Sequence, residues 1–293
     1  PQGTDWTDVA DLNYENKDMR AAMTSALAYW VKDFEVDGYR CDVAEMIPTE
    51  FWDEARPALE KIRPVFLLAE AENPVLHKKA FDMSYAWGLH EIFNKISKGE
   101  NTAVDLKNYY DSAWIKFPKD IYRMAFTSNH DENTWNGSEY ERLKGGSHEM
   151  WAVFTFVAPG MPLIYSGQEA GNAKRLLFFE KDQIAWKKHR MTDIYTKLTS
   201  LKKDNPALWN GSFGGDMQIL QTNLPETAFA FVRTFNDNRV LAVFNLSDKK
   251  QKIALTGAPE GKAVDYFTQK ETELKAAQDF PMDAWGYKVF ILK

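Results

Sequence analysis

Cysteine is almost absent. Cys41 is the single one in 293 residues, which excludes an intrachain disulfide and any thiolate cluster while leaving the compartment open. Long apolar runs are missing too. The longest such stretch, around Met150 to Tyr165, is broken by Pro159, Gly160 and Pro162, short of the roughly eighteen uninterrupted apolar residues of a membrane span. Nor is there a basic surplus: 36 Lys and Arg stand against 42 Asp and Glu, a net charge of -6. With no basic stripe to release counterions from a phosphate backbone, nucleic acid is not an expected partner. No nucleotide or flavin motif, repeat or low-complexity segment occurs. The chain opens at Pro1 with neither a Met nor a signal-like stretch, so it is expected to be a processed product or a piece of something longer.

What is present is a globular composition, 44% hydrophobic and 27% charged, enough for one large and one small domain. Residues 1–16 read as loop. Lys17 to Phe34 and Thr49 to Ile62 show apolar residues at helical spacing, the first including Trp30 as a core position. Between them lies the strand of Tyr39, Arg40 and Cys41. Val65 to Ala69 is a continuous apolar run, expected of a strand covered on both faces. Strands near 81–85, 122–128 and 162–165 follow, with helices near 89–97, 103–117, 147–157 and 191–203. This alternation predicts a parallel sheet with helical crossovers over residues 1–208. After Asn205-Pro206 the texture changes to short β-branched and aromatic segments near 217–221, 228–235, 239–246, 250–254 and 281–292, a small antiparallel β domain over 209–293.

The predicted strands end in charge. Arg40 and Asp42 share one strand face by alternation, Glu70 follows Ala69, and Asn129-His130-Asp131 follows Ser128. In a parallel β/α barrel all C-terminal strand ends meet at one mouth, so three carboxylates and a histidine would share a cleft. Arg40 can hold Asp42 ionised, and a Glu crowded by other carboxylates tends to keep its proton. A nucleophile or base beside a proton donor is the pair that glycosidic cleavage uses.

At these residues the chain resembles the alpha-amylase family of glycoside hydrolases. The resemblance rests on Asp37-Gly38-Tyr39-Arg40-Cys41-Asp42, Ala69-Glu70, Asn129-His130-Asp131 and the run Pro159 to Gly171, supported by Ala10 to Tyr14. It implies a TIM-type β/α barrel followed by a C-terminal β-sandwich, and a retaining hydrolase of α-glucosidic bonds, α-1,4 glucan first. Asp42 would be the nucleophile, Glu70 the general acid/base and Asp131 the carboxylate gripping sugar hydroxyls. Arg40 would orient Asp42, and His130 would bind the sugar being cleaved. Trp135, just past a strand end, reads either as a sugar platform or as loop packing, and Trp87 as packing. Calcium is the one cofactor the resemblance implies, and it favours a secreted or periplasmic site over the cytoplasm.

Two departures stand out. Glu45-Met46 occupies the place of a Lys-His pair that touches the departing sugar in the family. The equivalents of strands four to eight are the ones present, whereas three strands and an inserted loop domain would precede them. Five strands cannot close an eight-stranded barrel. The chain is therefore expected to be the C-terminal portion of a longer enzyme, or to pair with a missing fragment or another copy of itself through the open edge. Transglycosylases and isomerases of the family share the same residues, and a non-catalytic carbohydrate-binding or assembly protein on this scaffold is the alternative from another class.

Overall fold

A computed structural model describes residues 6 and 9–292 of the chain; the loop expected over 1–5, 7 and 8 lies outside them. Two compact units emerge, Pro1–Tyr85 and Ala86–Lys293.

The first unit begins with helix α1 (Lys17–Asp33), capped by the Asn16 side chain, which accepts from the N–H groups of Asp18 and Met19. Strand β1 (Gly38–Cys41), helix α2 (Thr49–Glu60), β2 (Phe66–Ala69) and β3 (Met83–Tyr85) follow. β1 pairs with β2, and β2 with β3, all in parallel. Their core joins Val31, Phe51, Trp52, Leu59, Leu67 and Ala69. Two expectations change here. The run at β2 is covered on one face only: Leu67 and Ala69 are buried against the helices, whereas Phe66 on the opposite face is 38% exposed. Trp30 is not core but 49% exposed, because Val31 takes the inward position and Trp30, about 100° around the helix, turns out. It packs on Phe34 and Tyr29, themselves exposed, at ring-centroid distances of 4.6 and 5.7 Å.

The second unit contains α3 (Trp87–Lys98), α4 (Ala103–Lys116), β4 (Tyr122–Ala125), α5 (Glu139–Arg142), α6 (Ser147–Val157), β5 (Met161–Pro162) and α7 (Arg190–Asp204). β4 and β5 are parallel. The strand expected over 162–165 stops early: Leu163 still donates to the Ala125 carbonyl, but the Tyr165 N–H turns to the Gln168 side chain at 2.7 Å and the chain leaves the ladder.

The antiparallel part holds β6 (Asp216–Ile219), β7 (Gln221–Thr222), β8 (Ala228–Phe235), β9 (Asn238–Asn245), β10 (Gln251–Thr256), β11 (Gly261–Asp265), β12 (Glu271–Leu274), β13 (Ala277–Met282) and β14 (Tyr287–Leu292). They form a six-stranded sheet in the order β12-β11-β14-β9-β8-β6 and a three-stranded one, β13-β10-β7. β11 and β12 lie outside the expected segments, since their charged residues read as loop; β12, with two Glu in four residues, is the strand at the sheet's edge. The segment expected over 281–292 is split between β13 and β14 by a turn containing Trp285 at φ 52°.

Helices and antiparallel sheet share a core. Phe154 of α6 packs on Phe229, Phe231 and Phe244 at 5.9, 6.0 and 5.1 Å. Arg233 of β8 is buried as well, its guanidinium donating to the carbonyls of Gly215, Val157, Ala158, Leu208 and Trp209. Lys202 of α7 donates to the Leu208 carbonyl as well, at 2.8 Å. Burial, then the Arg233 charge, pulls the Lys202 ammonium down to about 7. The opposite case is Glu139, at the start of α5. Its Oε2 accepts from Thr127 Oγ1 at 3.0 Å and Gln168 Nε2 at 2.5 Å, and burial pushes its carboxyl up to about 7 against those bonds.

These two groups give stability opposite pH slopes. Lys202 is charged in the unfolded chain up to about pH 10.4 but neutral in the fold above about 7, so wild-type stability relative to Lys202→Met should rise by about 3 kcal/mol between pH 7 and 9.5. Glu139 retains its proton in the fold where the unfolded chain has lost it. Wild-type stability relative to Glu139→Gln should therefore fall by about 2–3 kcal/mol between pH 4.5 and 7 and stay level above. Urea unfolding of the three proteins across pH checks both; parallel pH profiles would refute the assignments.

Candidate active site

In the first unit the site grows from the register of β1 on β2. Cys41 lies opposite Ala69, so the next residues outward, Asp42 and Glu70, leave adjacent strands side by side. Arg40, one position back on its face, reaches both. Its Nη1 pairs with Asp42 Oδ1 and its Nη2 with Glu70 Oε2 at 3.0 Å. Its Nε donates to the Tyr85 hydroxyl at 3.2 Å, and the guanidinium lies 5.6 Å from that ring's centroid. Burial alone would lower the Arg40 pKa, but the bonds to Tyr85 and Asp42 and the neighbouring charges raise it, so it is a permanent cation.

Val43 follows at φ 43°, ψ 44°, a left-handed conformation that a β-branched residue seldom adopts. The strain is held by Glu70: the Val43 N–H donates to Glu70 Oε2 at 2.9 Å and the Ala44 N–H to the Glu70 carbonyl at 3.1 Å. Glu70 is thereby enclosed, its side chain 14% exposed, while that of Asp42 is 71% exposed. Cys41 faces the helices, and burial pushes its thiol up to about 12, out of reach of thiolate chemistry.

In the second unit β4 runs into buried Thr127, Ser128 and Asn129 and then His130 and Asp131 at the surface. His130 Nε2 lies 3.3 Å from Asp131 Oδ2. Asp131 opens a π-helical turn, Glu132–Asn136, which carries Trp135 outward, 55% exposed. Trp87 packs edge-on against Phe126 at 5.0 Å. Burial, reinforced by the Asp131 charge, raises the Tyr165 phenol pKa.

Beneath the turn, Glu132 accepts from Asn136 at 2.9 Å and sits 2.9 Å from His90 Nε2. Burial pushes its carboxyl up, yet His90, Arg142 and Asn136 outweigh that and hold it below the usual range. Arg142 ties the assembly to the strand through the Thr127 carbonyl at 2.8 Å.

Sequence reasoning missed Tyr85, the strained Val43, the Glu132 network and Glu139. A tyrosine closing a predicted strand was a usable signal for the first; the others are created by turns that spacing does not encode. Among the described residues no group of three or more His, Cys, Asp or Glu side chains is placed to hold a metal ion. No helix among them is long and apolar enough to cross a membrane.

Comparison with known proteins agrees with this arrangement of elements. The family profile "Alpha amylase, catalytic domain" matches residues 4–215, and "Maltogenic Amylase, C-terminal domain" matches 217–291. The alpha-amylase MalA of Haloarcula japonica is 26% identical over 269 residues, 88% of this chain and 38% of that protein. A maltogenic alpha-amylase of Bacillus acidopullulyticus is 24% identical over 296 residues, 94% of this chain and 48% of the relative. The chain thus spans less than half the length of these relatives. The crystal structure of the noncanonic maltogenic alpha-amylase AmyB from Thermotoga neapolitana superposes with a TM-score of 0.84 at 23% identity, covering 98% of this chain and 70% of that one. That likeness shows the fold, a β/α-barrel type with a C-terminal antiparallel β domain. With most of its length matched by the catalytic-domain profile, the chain belongs to the alpha-amylase family of glycosidases.

Proposed function

We propose that the full-length protein is a retaining hydrolase of α-glucosidic bonds in α-1,4 glucans, and that this chain is the C-terminal portion of its catalytic region with its β domain. The observation that carries the reading is the single guanidinium of Arg40 held between Asp42 and Glu70. One fork can engage two carboxylates only when they stand close together, which favours the separation of about 5 Å of retaining glycosidases over the wider gap of inverting ones.

On this reading Asp42 attacks the anomeric carbon, forming a glycosyl-enzyme ester, while Glu70 gives its proton to the departing oxygen. Glu70 then takes a proton from water, whose oxygen displaces Asp42 and releases the sugar with its configuration retained. Arg40 orients Asp42. When Glu70 loads a proton, its attraction to Arg40 weakens and the guanidinium is left to the nucleophile. Asp131 grips hydroxyls of the sugar in the transition state, with His130 and Trp135 as further substrate contacts.

The test is hydrolysis of soluble starch and a p-nitrophenyl α-maltooligosaccharide by the full-length parent, beside this chain and Asp42→Asn in the parent. The parent should turn over both, release the α anomer first by NMR, and lose at least about a thousandfold in kcat on substitution. Release of the β anomer, or an active Asp42→Asn enzyme, would sink the mechanism.

A further inference from the structure

The first three strands end in one row. Cys41 lies opposite Ala69 and Ala69 opposite Ser84, so the next position outward on β1, β2 and β3 is held by Asp42, Glu70 and Tyr85. All three carry oxygen. Arg40 stands two residues before Asp42 on the same strand face, beneath the row, and it reaches every member. Its Nη1 pairs with Asp42, its Nη2 with Glu70 at 3.0 Å, and its Nε donates to the Tyr85 hydroxyl at 3.2 Å.

Tyr85 is the firm end of the Arg40 contact. It is 4% exposed, and its ring lies 5.6 Å from the guanidinium. One residue back, on the opposite face of β3, the Ser84 hydroxyl sits 2.8 Å from His77 Nε2. Just before the strand, Asp82 accepts from the Leu67 N–H at 2.8 Å and pairs with Arg56 at 2.8 Å, so β3 cannot slide along β2 without breaking an ion pair. Arg40 is the adaptable partner, since a long stem with several rotors carries its charge.

Which nitrogen Tyr85 holds is decisive. A guanidinium grips a carboxylate most strongly with two parallel N–H groups, and the edge formed by Nε and Nη2 is one such fork. Glu70 already engages Nη2. With Nε free, the same carboxylate would take both nitrogens and draw Nη1 away from Asp42. We propose that Tyr85 is a positioning residue that keeps Arg40 divided between the two carboxylates, by occupying Nε and closing the edge through which Arg40 would otherwise clamp Glu70. The proposal deepens the glycosidase reading and rests on it for the roles of Asp42 and Glu70. Facing the Glu70 carboxyl are Arg40 and Asp42 from β1, the Val43 N–H from the turn and Tyr85 from β3. A second charge-assisted bond from Arg40 would favour its ionised form, so a clamped Glu70 gives up its proton at lower pH. An acid that must be protonated to work then fails at lower pH.

The test uses Tyr85→Phe in the full-length parent, which keeps the ring against the guanidinium and removes only the hydroxyl; circular dichroism follows folding. On starch kcat should fall by about tenfold with KM within about twofold, and the alkaline limb of the kcat profile should move down by about half a pH unit or more. α-Maltosyl fluoride, whose leaving group needs no proton donor, should lose several-fold less. Equal losses on both substrates with an unmoved limb would mark a merely structural tyrosine and overturn the proposal. A readout without turnover separates it from the glycosidase reading. With glutamate isotope-labelled at the side-chain carboxyl and Glu70→Gln as the blank, NMR should show the Glu70 resonance titrating at lower pH in Tyr85→Phe than in wild type. That shift in a parent that hydrolyses nothing keeps the divided fork and removes the glycosidase, whereas no shift removes the proposal whatever the activity.

Discussion

The site in the first unit depends on how closely β1 approaches β2 at Gly38. Gly38 has φ 154°, and a Cβ built there would fall 1.8 Å from the Phe66 carbonyl oxygen, so no other residue fits without parting the strands. That contact pins the register, with Gly38 opposite Phe66 and Cys41 opposite Ala69. A slip of one residue would reverse the faces of every side chain on β1 and carry Arg40 to the helix side, where its charge would meet Leu59 and Trp52. The turn beyond the strands inherits the same constraint, because the backbone and carboxylate of Glu70 hold Val43 in its left-handed conformation. Register, turn and charge placement form one interdependent set.

The second unit is organised differently, by volume. α6 is buried along nearly its whole length, with Trp151 and Phe154 between α3 and the antiparallel sheet. Such a helix leaves no solvent face for polar groups, so Arg233 and Lys202 must find their partners among carbonyls at helix and loop ends. The Arg233 contacts join the end of α6, the segment after α7 and the β8 strand in one polar knot. On the other side of the unit, Thr127, Glu139 and Gln168 link the end of β4, the start of α5 and the turn after β5. His130 and Asp131 therefore emerge directly from the buried segment Thr127, Ser128 and Asn129.

Much of this was legible in residue order. Alternation and strand length located β1 to β4, and the charges that close the runs pointed to Arg40, Asp42, Glu70 and His130-Asp131, because a charge at the end of an apolar strand has few structural reasons to be there. Periodicity failed where the neighbour, and not the residue, decides burial. Trp30 and Phe66 lie on apolar faces that nothing among the described residues covers well, and no sequence pattern distinguishes that from core. β12 escaped because edge strands carry the charges that loops carry, and β11, its neighbour, because five residues holding Gly261, Lys262 and Asp265 read as loop. Nothing in residue order singled out Glu139, which stands two places after Gly137 in a polar stretch. In the fold it is enclosed with Thr127 and Gln168, whose side chains donate to its carboxylate, a tertiary outcome.

The Arg40 fork holds two carboxylates of unlike solvation. Two acids on one cation look equivalent, whereas double displacement needs one with a proton and one without. The structure makes them unequal in solvation: Asp42 projects into water, and Glu70 is enclosed between Arg40 and the Val43 N–H. Enclosure penalises the charged form of a carboxyl, and at Glu70 the Arg40 cation and the Val43 amide work against that penalty. Substrate that draws Arg40 toward Asp42 would remove part of that offset and favour proton uptake on Glu70, the group the mechanism asks to be the acid. The same pair with exposures reversed would favour the opposite assignment, so burial, more than the identity of Asp or Glu, supports Asp42 as nucleophile and Glu70 as acid.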